Sequence, residues 1–217
     1  MPGINLECKN LEKNYLGKTV FKNINLNLNS GDSLVITGKN GSGKSTLVKI
    51  ISHLIKQSKG EINLTVENNK IEKENFYKYT GMLAPYINLY DELTAYENLS
   101  FFYKLKSDTS KEISKKELSE LIDVHLEMVN LFKRKNDLVK NYSSGMKQRV
   151  KLAFAVINKP PLLILDEPRT NLDNEGIDIV YKSAEEHIKR GILIVATNEK
   201  EDFRLGKEII NLENFKK

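Results

Sequence analysis

Nine residues, GKNGSGKST at 38–46, limit the possible folds of this chain more than any other stretch. The apolar run SLVIT precedes them, and STLVKIISHLI follows with apolar residues at helical spacing. Strand, glycine-rich loop and helix in this order match the pattern G-x-x-x-x-G-K-[ST]. The alternative is a glycine- and serine-rich surface turn, and the flanking strand and helix argue against it. We therefore predict a loop that wraps around a phosphate group.

The spacing within this loop assigns a role to each residue type. Glycines let successive backbone N–H groups point at a β-phosphate, and the following helix adds its positive end. Lys44 is expected to reach the β- and γ-phosphates, where it also serves catalysis, and the Ser45 hydroxyl is expected to bind Mg²⁺. The residues predicted to contact the nucleotide here are Gly38, Asn40, Gly41, Ser42, Gly43, Lys44, Ser45 and Thr46.

A second motif, LLILDEP at 162–168, places two carboxylates directly after a buried-type strand. In open α/β sheets, ligands bind at the carboxyl ends of the strands. Asp166 is therefore expected to hold Mg²⁺ through water, and Glu167 to orient and deprotonate a water molecule that attacks the γ-phosphate. By itself an Asp-Glu pair after a strand is more often a solvated loop. The phosphate loop in the same chain reverses that preference.

The hydrophobic pattern predicts an α/β fold of the phosphate-loop NTPase type. Residues 3–30 alternate apolar and polar, which is typical of an antiparallel sheet, whereas the apolar runs at 33–38, 162–165 and 192–197 suit a mainly parallel sheet. Residues 85–158 are mostly of helical pattern. We predict one domain over 1–217, with an α/β core and an N-terminal antiparallel β-subdomain in 1–84 and 159–217, and an inserted α-helical subdomain in 85–158.

Composition narrows the class further. With 217 residues and 40% hydrophobic residues, the chain can bury a core, and one cysteine, Cys8, allows no intrachain disulfide. Cys8 is expected to be a small buried strand residue, and His125 a packed histidine without a metal role.

The charge of +5 is spread along the chain, so it does not argue for nucleic acid. No stretch has the length and apolarity of a membrane span or a signal peptide, and we expect a cytoplasmic protein.

Four motifs in a fixed order resemble the nucleotide-binding subunits of ATP-binding cassette (ABC) transporters, and the resemblance covers essentially the whole chain. They are GKNGSGKST, YSSGMKQR at 142–149, LLILDEP and TNLD at 170–173. The resemblance implies ATP and Mg²⁺ as ligands and two cassettes that face each other head to tail.

YSSGMKQR is similar to the family's signature sequence, so Ser143 and Gly145 are expected to contact the γ-phosphate held by the other subunit. Asp173 would belong to the loop that crosses the dimer seam. Tyr15 would stack on adenine, unless it is an ordinary strand tyrosine.

Two positions depart from the family pattern. Where the family commonly has a glutamine between the core and the helical subdomain, this chain has Pro85 or Tyr86, depending on the alignment. Where it has a histidine after the last core strand, this chain has Asn198. An asparagine amide can still donate a hydrogen bond to the γ-phosphate, so we expect Asn198 to take part in catalysis. The alternative is that Asn198 only caps the turn after ILIVAT.

The resemblance also implies partners. An ABC ATPase subunit of this kind works as a homodimer, or as a heterodimer with a second cassette, on integral membrane permease subunits, peripheral to the inner face of the cell membrane and without nucleic acid. The short chain is similar to cassettes of small export systems, including the cytochrome-maturation kind. The aromatics Tyr86, Tyr90 and Tyr96 are expected to line a groove for the membrane subunit, or else to pack the helical subdomain. The alternatives are a soluble ABC ATPase outside transport and a degenerate cassette that binds ATP with little hydrolysis.

Overall fold

A computed structural model describes residues 3–107 and 113–216, and this part of the chain has two sheets, six α-helices and five short 3-10 helices. The strands are β1 (Ile4–Tyr15), β2 (Lys18–Asn29), β3 (Ser33–Thr37), β4 (Lys59–Val66), β5 (Asn69–Lys70), β6 (Thr80–Leu83), β7 (Leu162–Asp166), β8 (Ile192–Ala196) and β9 (Glu208–Asn211). The helices are α1 (Lys44–Ile51), α2 (Phe76–Tyr79), α3 (Ala95–Lys106), α4 (Lys115–Met128), α5 (Ser144–Val156) and α6 (Asn174–Ile188). None of the described helices is long and apolar enough to cross a bilayer.

The first sheet is antiparallel and has the strand order β2-β1-β4-β5. Its strands bury alternate residues, such as Ile4, Leu6 and Cys8 on β1, because one face packs on the core and the other meets solvent. The prediction of an antiparallel sheet from the alternating pattern of residues 3–30 is confirmed. So is the expectation that Cys8 is buried, and burial raises the pKa of its thiol to about 12.

The second sheet is parallel and has the order β6-β7-β8-β3-β9. The three strands predicted from apolar runs are its centre, where both faces are covered and a continuous apolar run is needed. The sequence reading missed both edge strands, β6 and β9. Each is four residues long, and β9 is mostly exposed, so neither carries a strong apolar run.

Side chains on the two faces of the parallel sheet enter two different clusters. Because successive residues of a strand point to opposite faces, Leu34 and Ile36 pack toward α1 and the antiparallel sheet, whereas Val35 packs with the helices α3 to α6. Side chains of β7 and β8 alternate between the two clusters in the same way. The parallel sheet is therefore the middle layer, as in other α/β domains.

The helices α3, α4 and α5 lie in sequence between β6 and β7. Two of them begin with a capping box, in which Thr94 with Glu97 and Ser114 with Glu117 exchange side-chain and backbone hydrogen bonds. The helix α5 also packs against β6, where a Cβ on Gly81 would lie 2.0 Å from the Ala155 carbonyl oxygen. Helices therefore fill the region predicted to be helical, and the proposed division of the chain into subdomains stays a prediction.

Candidate functional site

The neighbouring strands β7, β8 and β3 end side by side at one edge of the parallel sheet. Asp166 at the end of β7 is in register with Ala196 at the end of β8, and Ile36 of β3 is in register with the same Ala196. The loops that follow these strands begin with Glu167, Thr197 and Gly38, so residues far apart in sequence meet at this edge. This is the edge at which open α/β sheets bind ligands.

The loop after β3 has a backbone that requires glycine. Gly43, the residue before α1, has φ 109°, and a Cβ there would lie 2.4 Å from a methyl carbon of Val20. Lys44 is then the first residue of α1, and α1 has no acidic residue in its first turn. No carboxylate from the first turn of α1 therefore neutralises the positive N-terminal end of the helix. That end can attract an anion.

Lys44 is only 5% exposed and points back across its own loop. Its Nζ donates a 2.8 Å hydrogen bond to the Gly38 carbonyl oxygen and a 2.9 Å hydrogen bond to Asn198 Oδ1, and it lies 3.6 Å from Glu167 Oε1. The ammonium group is thus held at the centre of the strand-end cluster. A phosphate placed in the loop would meet this charge.

Ser45 and Asp166 approach each other as the predicted metal site requires. Ser45 Oγ donates to Asp166 Oδ1 over 3.2 Å, whereas Asp166 Oδ2 is buried and has no hydrogen-bond partner among the described residues. Burial raises the pKa of Asp166, and the hydroxyls of Ser45 and Tyr86 and the cations Lys44 and Lys49 oppose that rise. A buried carboxylate oxygen without a partner beside a hydroxyl is a donor set that suits Mg²⁺. These residues fit the metal that the sequence predicts.

Glu167 follows in a left-handed backbone conformation, with φ 48°, and its N–H donates to the Ala196 carbonyl oxygen. Burial raises the pKa of its carboxyl, the Lys44 ammonium opposes this, and the Asp166 and Asp202 carboxylates add to the rise. The constrained backbone directs the carboxyl toward Lys44 rather than into solvent. A carboxylate with a raised pKa is better able to take a proton near neutral pH.

Asn198 bridges two parts of the phosphate loop. Its Oδ1 accepts from Lys44 Nζ, and its Nδ2 donates to Asn40 Oδ1 over 2.6 Å. The amide therefore contacts the phosphate loop directly. Which catalytic role follows from that contact stays a prediction.

Tyr86 lies on the core side of the junction between the sheet and the helices. The Lys49 ammonium sits 3.8 Å from the centre of its ring, and its hydroxyl contacts Met82 Sδ at 3.7 Å. Burial raises the pKa of Tyr86, and the nearby Asp166 carboxylate adds to the rise. Tyr86 is half-buried, and its ring faces α1 and the metal-site carboxylate. Its place in a groove for the membrane subunit stays a prediction.

The signature sequence lies at the start of α5. Ser143 is the N-cap, and its Oγ accepts from the Met146 N–H over 3.2 Å. A Cβ on Gly145 would lie 2.9 Å from the Asn171 carbonyl oxygen, so the helix start packs tightly on the loop 170–173. Ser143 is exposed, and within the described part of the chain no hydrogen bond or ion pair joins it to residues 38–46. Its predicted ligand would therefore have to come from outside this cluster.

Asp173 has a local role that the sequence reading missed. It is the N-cap of α6, where its Oδ1 accepts from the Gly176 N–H over 2.9 Å. Its other oxygen lies 3.9 Å from Arg149, which also pairs with Glu175 at 3.2 Å. Because Arg149 belongs to α5, these ion pairs tie the signature helix to the start of α6.

Tyr15, the last residue of β1, is 48% exposed. The Lys13 ammonium lies 4.5 Å from the centre of its ring. An exposed ring that is not packed in the core is free to stack on a base. Its contact with adenine stays a prediction.

A buried acid behind Asn198 was also missed. Asp202 is fully buried and accepts 2.7 Å hydrogen bonds from the hydroxyls of Thr197 and Tyr181. Thr197 is the residue before Asn198, so this network holds the backbone from which Asn198 reaches Lys44. In the sequence, Asp202 sits within the polar stretch NEKEDF, where nothing distinguishes it from a surface acid.

Comparison with known proteins agrees with this geometry. Residues 21–170 match the family described as ABC transporter. The linearmycin resistance ATP-binding protein LnrL of Bacillus subtilis is 35% identical over 195 residues, which are 89% of this chain and 60% of that protein. The probable ABC transporter ATP-binding protein PEB1C of Campylobacter jejuni is 36% identical over 198 residues, 89% of this chain and 80% of its own. The cytochrome c biogenesis ATP-binding export protein CcmA of Haemophilus influenzae is 29% identical and covers 98% of this chain and 94% of its own length.

Among solved structures, a dimeric ATP-binding cassette in a post-hydrolysis state with ADP and Pi superposes with a TM-score of 0.84. It is 28% identical, and the match covers 95% of this chain and 93% of that one. Fold and site thus define a nucleotide-binding cassette of the phosphate-loop class. The chain belongs to the ABC transporter family. It spans only 56–61% of the length of the first curated relatives it matches.

Proposed function

We propose that this chain binds and hydrolyses ATP and that, in a head-to-tail pair, it powers transport through separate membrane subunits. The observation that carries the proposal is the meeting of Lys44, Glu167 and Asn198 with the Ser45–Asp166 pair at one sheet edge. This edge combines a phosphate loop, an acid with a raised pKa and a metal-type donor pair. A protein that only bound a nucleotide would not need all three.

The chain's residues divide the work as follows. The loop N–H groups and Lys44 bind the β- and γ-phosphates, and Tyr15 stacks on the base. Ser45 and Asp166 hold Mg²⁺, which when bound neutralises charge on the phosphates. Glu167 orients a water molecule and takes its proton, and Asn198 donates its amide N–H to the γ-phosphate. For that, Asn198 Nδ2 has to leave Asn40 and Lys44 has to turn from Gly38 toward the nucleotide.

The exposed start of α5 supplies the other half of the site. In the part of the chain that the structure describes, no hydrogen bond or ion pair joins Ser143 to the phosphate loop, and Ser143 and Gly145 form a helix N-terminus suited to an anion. We infer that they bind the γ-phosphate of a second cassette. The relative captured as a dimer with ADP and Pi supports this arrangement.

A pair of variants tests this part of the proposal. Ser143→Arg should bind ATP as the unchanged protein does, because its own phosphate loop is intact, but it should hydrolyse ATP at least about ten-fold more slowly. Ser114→Arg is the matched control, since Ser114 also caps a helix and each variant loses about 1 kcal/mol of cap energy. Equal turnover in the two variants would contradict the composite site.

An exposed aromatic patch is the candidate contact with the membrane subunit. Tyr90 is 52% exposed and Phe101 45% exposed, and Tyr90, Phe101 and Phe102 contact one another with ring centres 5.3–5.7 Å apart. Exposed aromatic side chains that cluster are typical of protein interfaces. We place the cassette on the cytoplasmic face of a membrane through this patch, with no nucleic-acid partner. Tyr96 instead packs against the helical core.

The patch can be tested with the membrane fraction of the native cells. Phe101→Asp should abolish binding of the cassette to those membranes and leave the basal ATPase rate unchanged. Val124→Asp is the control, because Val124 is a 60% exposed apolar residue on another helix. Membrane binding that survives in Phe101→Asp, or cassette that is recovered on ribosomes instead, would argue against this partner.

One observation favours a second candidate, a cassette that binds ATP and hydrolyses it slowly. Asn198 stands where the family has a histidine, Pro85 or Tyr86 stands where it has a glutamine, and the Asn198 amide oxygen accepts a hydrogen bond from Lys44. The turnover number of the purified protein at saturating ATP decides between the two. A rate no higher than that of Lys44→Ala would favour the slow cassette.

A further inference from the structure

A cavity of about 340 Å³ lies between the C-terminal parts of α4, α5 and α6. It is lined by His125 and Met128 from α4, by Lys159 after α5, and by Lys182, Glu186 and Arg190 from α6 and the turn that follows it. None of the residues predicted to bind nucleotide lines it. The helices α5 and α6 present Ser143 and Asp173 at their opposite ends, and a 13-residue helix is about 20 Å long.

Positive charge in this cavity exceeds negative charge. Lys159, Lys182 and Arg190 all line it, and none of the three forms an ion pair within residues 3–107 and 113–216. The one acid in its wall, Glu186, pairs with Lys189. Three cations around one cavity repel one another, and an anion bound between them would be attracted to all three.

Arg190 gives the clearest sign of a missing partner. Its Nε is buried and has no hydrogen-bond acceptor in the described structure. A guanidinium has five N–H donors in a fixed fork, and leaving a buried donor without an acceptor is costly. Burial also lowers the pKa of Arg190, and the neighbouring Glu186 carboxylate opposes this.

His125 also lines the cavity, close to the same cations. Its Nδ1 lies 2.8 Å from the Leu121 carbonyl oxygen, and burial, Lys159 and Arg190 all lower the pKa of its ring. The charges of Lys159 and Arg190 thus act on the His125 ring, and all three residues line the same cavity. The expectation that His125 only packs is incomplete, because the ring also lines the cavity.

The remaining wall is apolar and includes Met128, Val156 and Ile179. A cavity of a few hundred cubic ångströms with an apolar floor and a few polar groups has the size and character of a small-molecule site. We propose that this cavity binds a small organic anion, a carboxylate or phosphate carried on a short apolar body. The anion would pair with Arg190 and Lys182, and the body would lie against Met128.

Methionine-methyl NMR tests the proposal directly, because the chain has four methionines and, of the three that the structure describes, only Met128 lines the cavity. The protein is first saturated with ADP and Mg²⁺, so that the phosphate loop is occupied. Phenyl phosphate and benzoate are then titrated, with phenol as the uncharged control. The Met128 signal should shift and saturate, with a dissociation constant on the order of 1 mM, while Met82 and Met146 stay unmoved.

Three variants decide which charges matter. Arg190→Gln and Lys182→Gln should each weaken binding of phenyl phosphate roughly ten-fold, because each removes a charge-assisted hydrogen bond. Glu186→Gln should leave binding unchanged or tighten it. If Arg190→Gln does not fold, the exposed Lys182 carries the test. No saturable shift at Met128, an equal shift with phenol, or unchanged binding in Lys182→Gln would each overturn the proposal.

Discussion

Lys44 and Asn198, separated by 154 residues in sequence, are joined by a 2.9 Å hydrogen bond from Nζ to Oδ1. The same asparagine donates to Asn40, so one amide contacts the phosphate loop at two positions. Under the proposed function, we expect a bound nucleotide to replace both bonds. Asn198 would then exchange contacts with the protein for contacts with the γ-phosphate.

This placement makes the Asn198 side chain a determinant of turnover. Asn198→Ala should lower the ATPase rate, because the amide donor is lost, whereas Asn198→His should raise it. The histidine variant should also gain a pH dependence near the usual imidazole pKa of about 6.5, which the asparagine protein lacks. ATPase rates at saturating ATP across pH measure both effects. Three indistinguishable curves would leave Asn198 a turn residue without a catalytic role.

Glu167 is expected to be the general base. Glu167→Gln should retain ATP binding and slow hydrolysis by roughly a hundred-fold or more, since proton transfer by a side chain contributes about that much. An ATP-bound dimer should then accumulate, visible by size-exclusion chromatography with ATP and Mg²⁺. Glu199→Gln is the control, because Glu199 lies near Arg169 and not Lys44. A Glu167→Gln protein that stays monomeric under ATP would contradict the head-to-tail arrangement.

The buried acid behind the site should contribute to stability. Asp202→Ala leaves the hydroxyls of Thr197 and Tyr181 without their acceptor, so we expect a loss of about 2–4 kcal/mol in the free energy of unfolding. Tyr181→Phe keeps the ring against Arg204 and removes one hydrogen bond, and it should cost about 1 kcal/mol. Urea denaturation measures both. Equal losses would mean that the hydrogen bond from Thr197 adds nothing to stability beyond the one from Tyr181.

Lys106 should give the protein a stability that depends on pH. Burial lowers its pKa from 10.5 to about 8, although its hydrogen bond to the Thr80 carbonyl oxygen favours the charged form. Between pH 8 and 10.5 the unfolded chain keeps a proton that the folded chain has lost, so this contribution to stability rises with pH and is lost as pH falls. We compare urea denaturation of the unchanged protein and Lys106→Met. The difference should shift in favour of lysine by about 3 kcal/mol from pH 7.5 to pH 10.5. A constant difference would contradict the lowered pKa.

The sequence alone was sufficient for features that depend on neighbouring residues. The phosphate loop, the acidic end of β7 and the alternating first sheet are each specified within about ten residues, because backbone propensity and hydrophobic period are local properties. Family, fold class and the ATP-binding character follow from those patterns. The short strands β6 and β9 were missed for the same reason, since four residues carry too little of a pattern.

Only the tertiary structure decided which distant residues meet. The order β7-β8-β3 brings Asp166 and Asn198 beside the phosphate loop, and strand order depends on how the connecting helices cross the sheet. The same holds for Asp202 under Thr197 and for Tyr86 under Lys49, where polar and aromatic side chains are recruited by packing. The cations around the cavity come from the segment after α5, from α6 and from the turn after α6, and their spacing in sequence has no period. Such contacts arise from the burial of whole elements, so no local stretch of the chain encodes them.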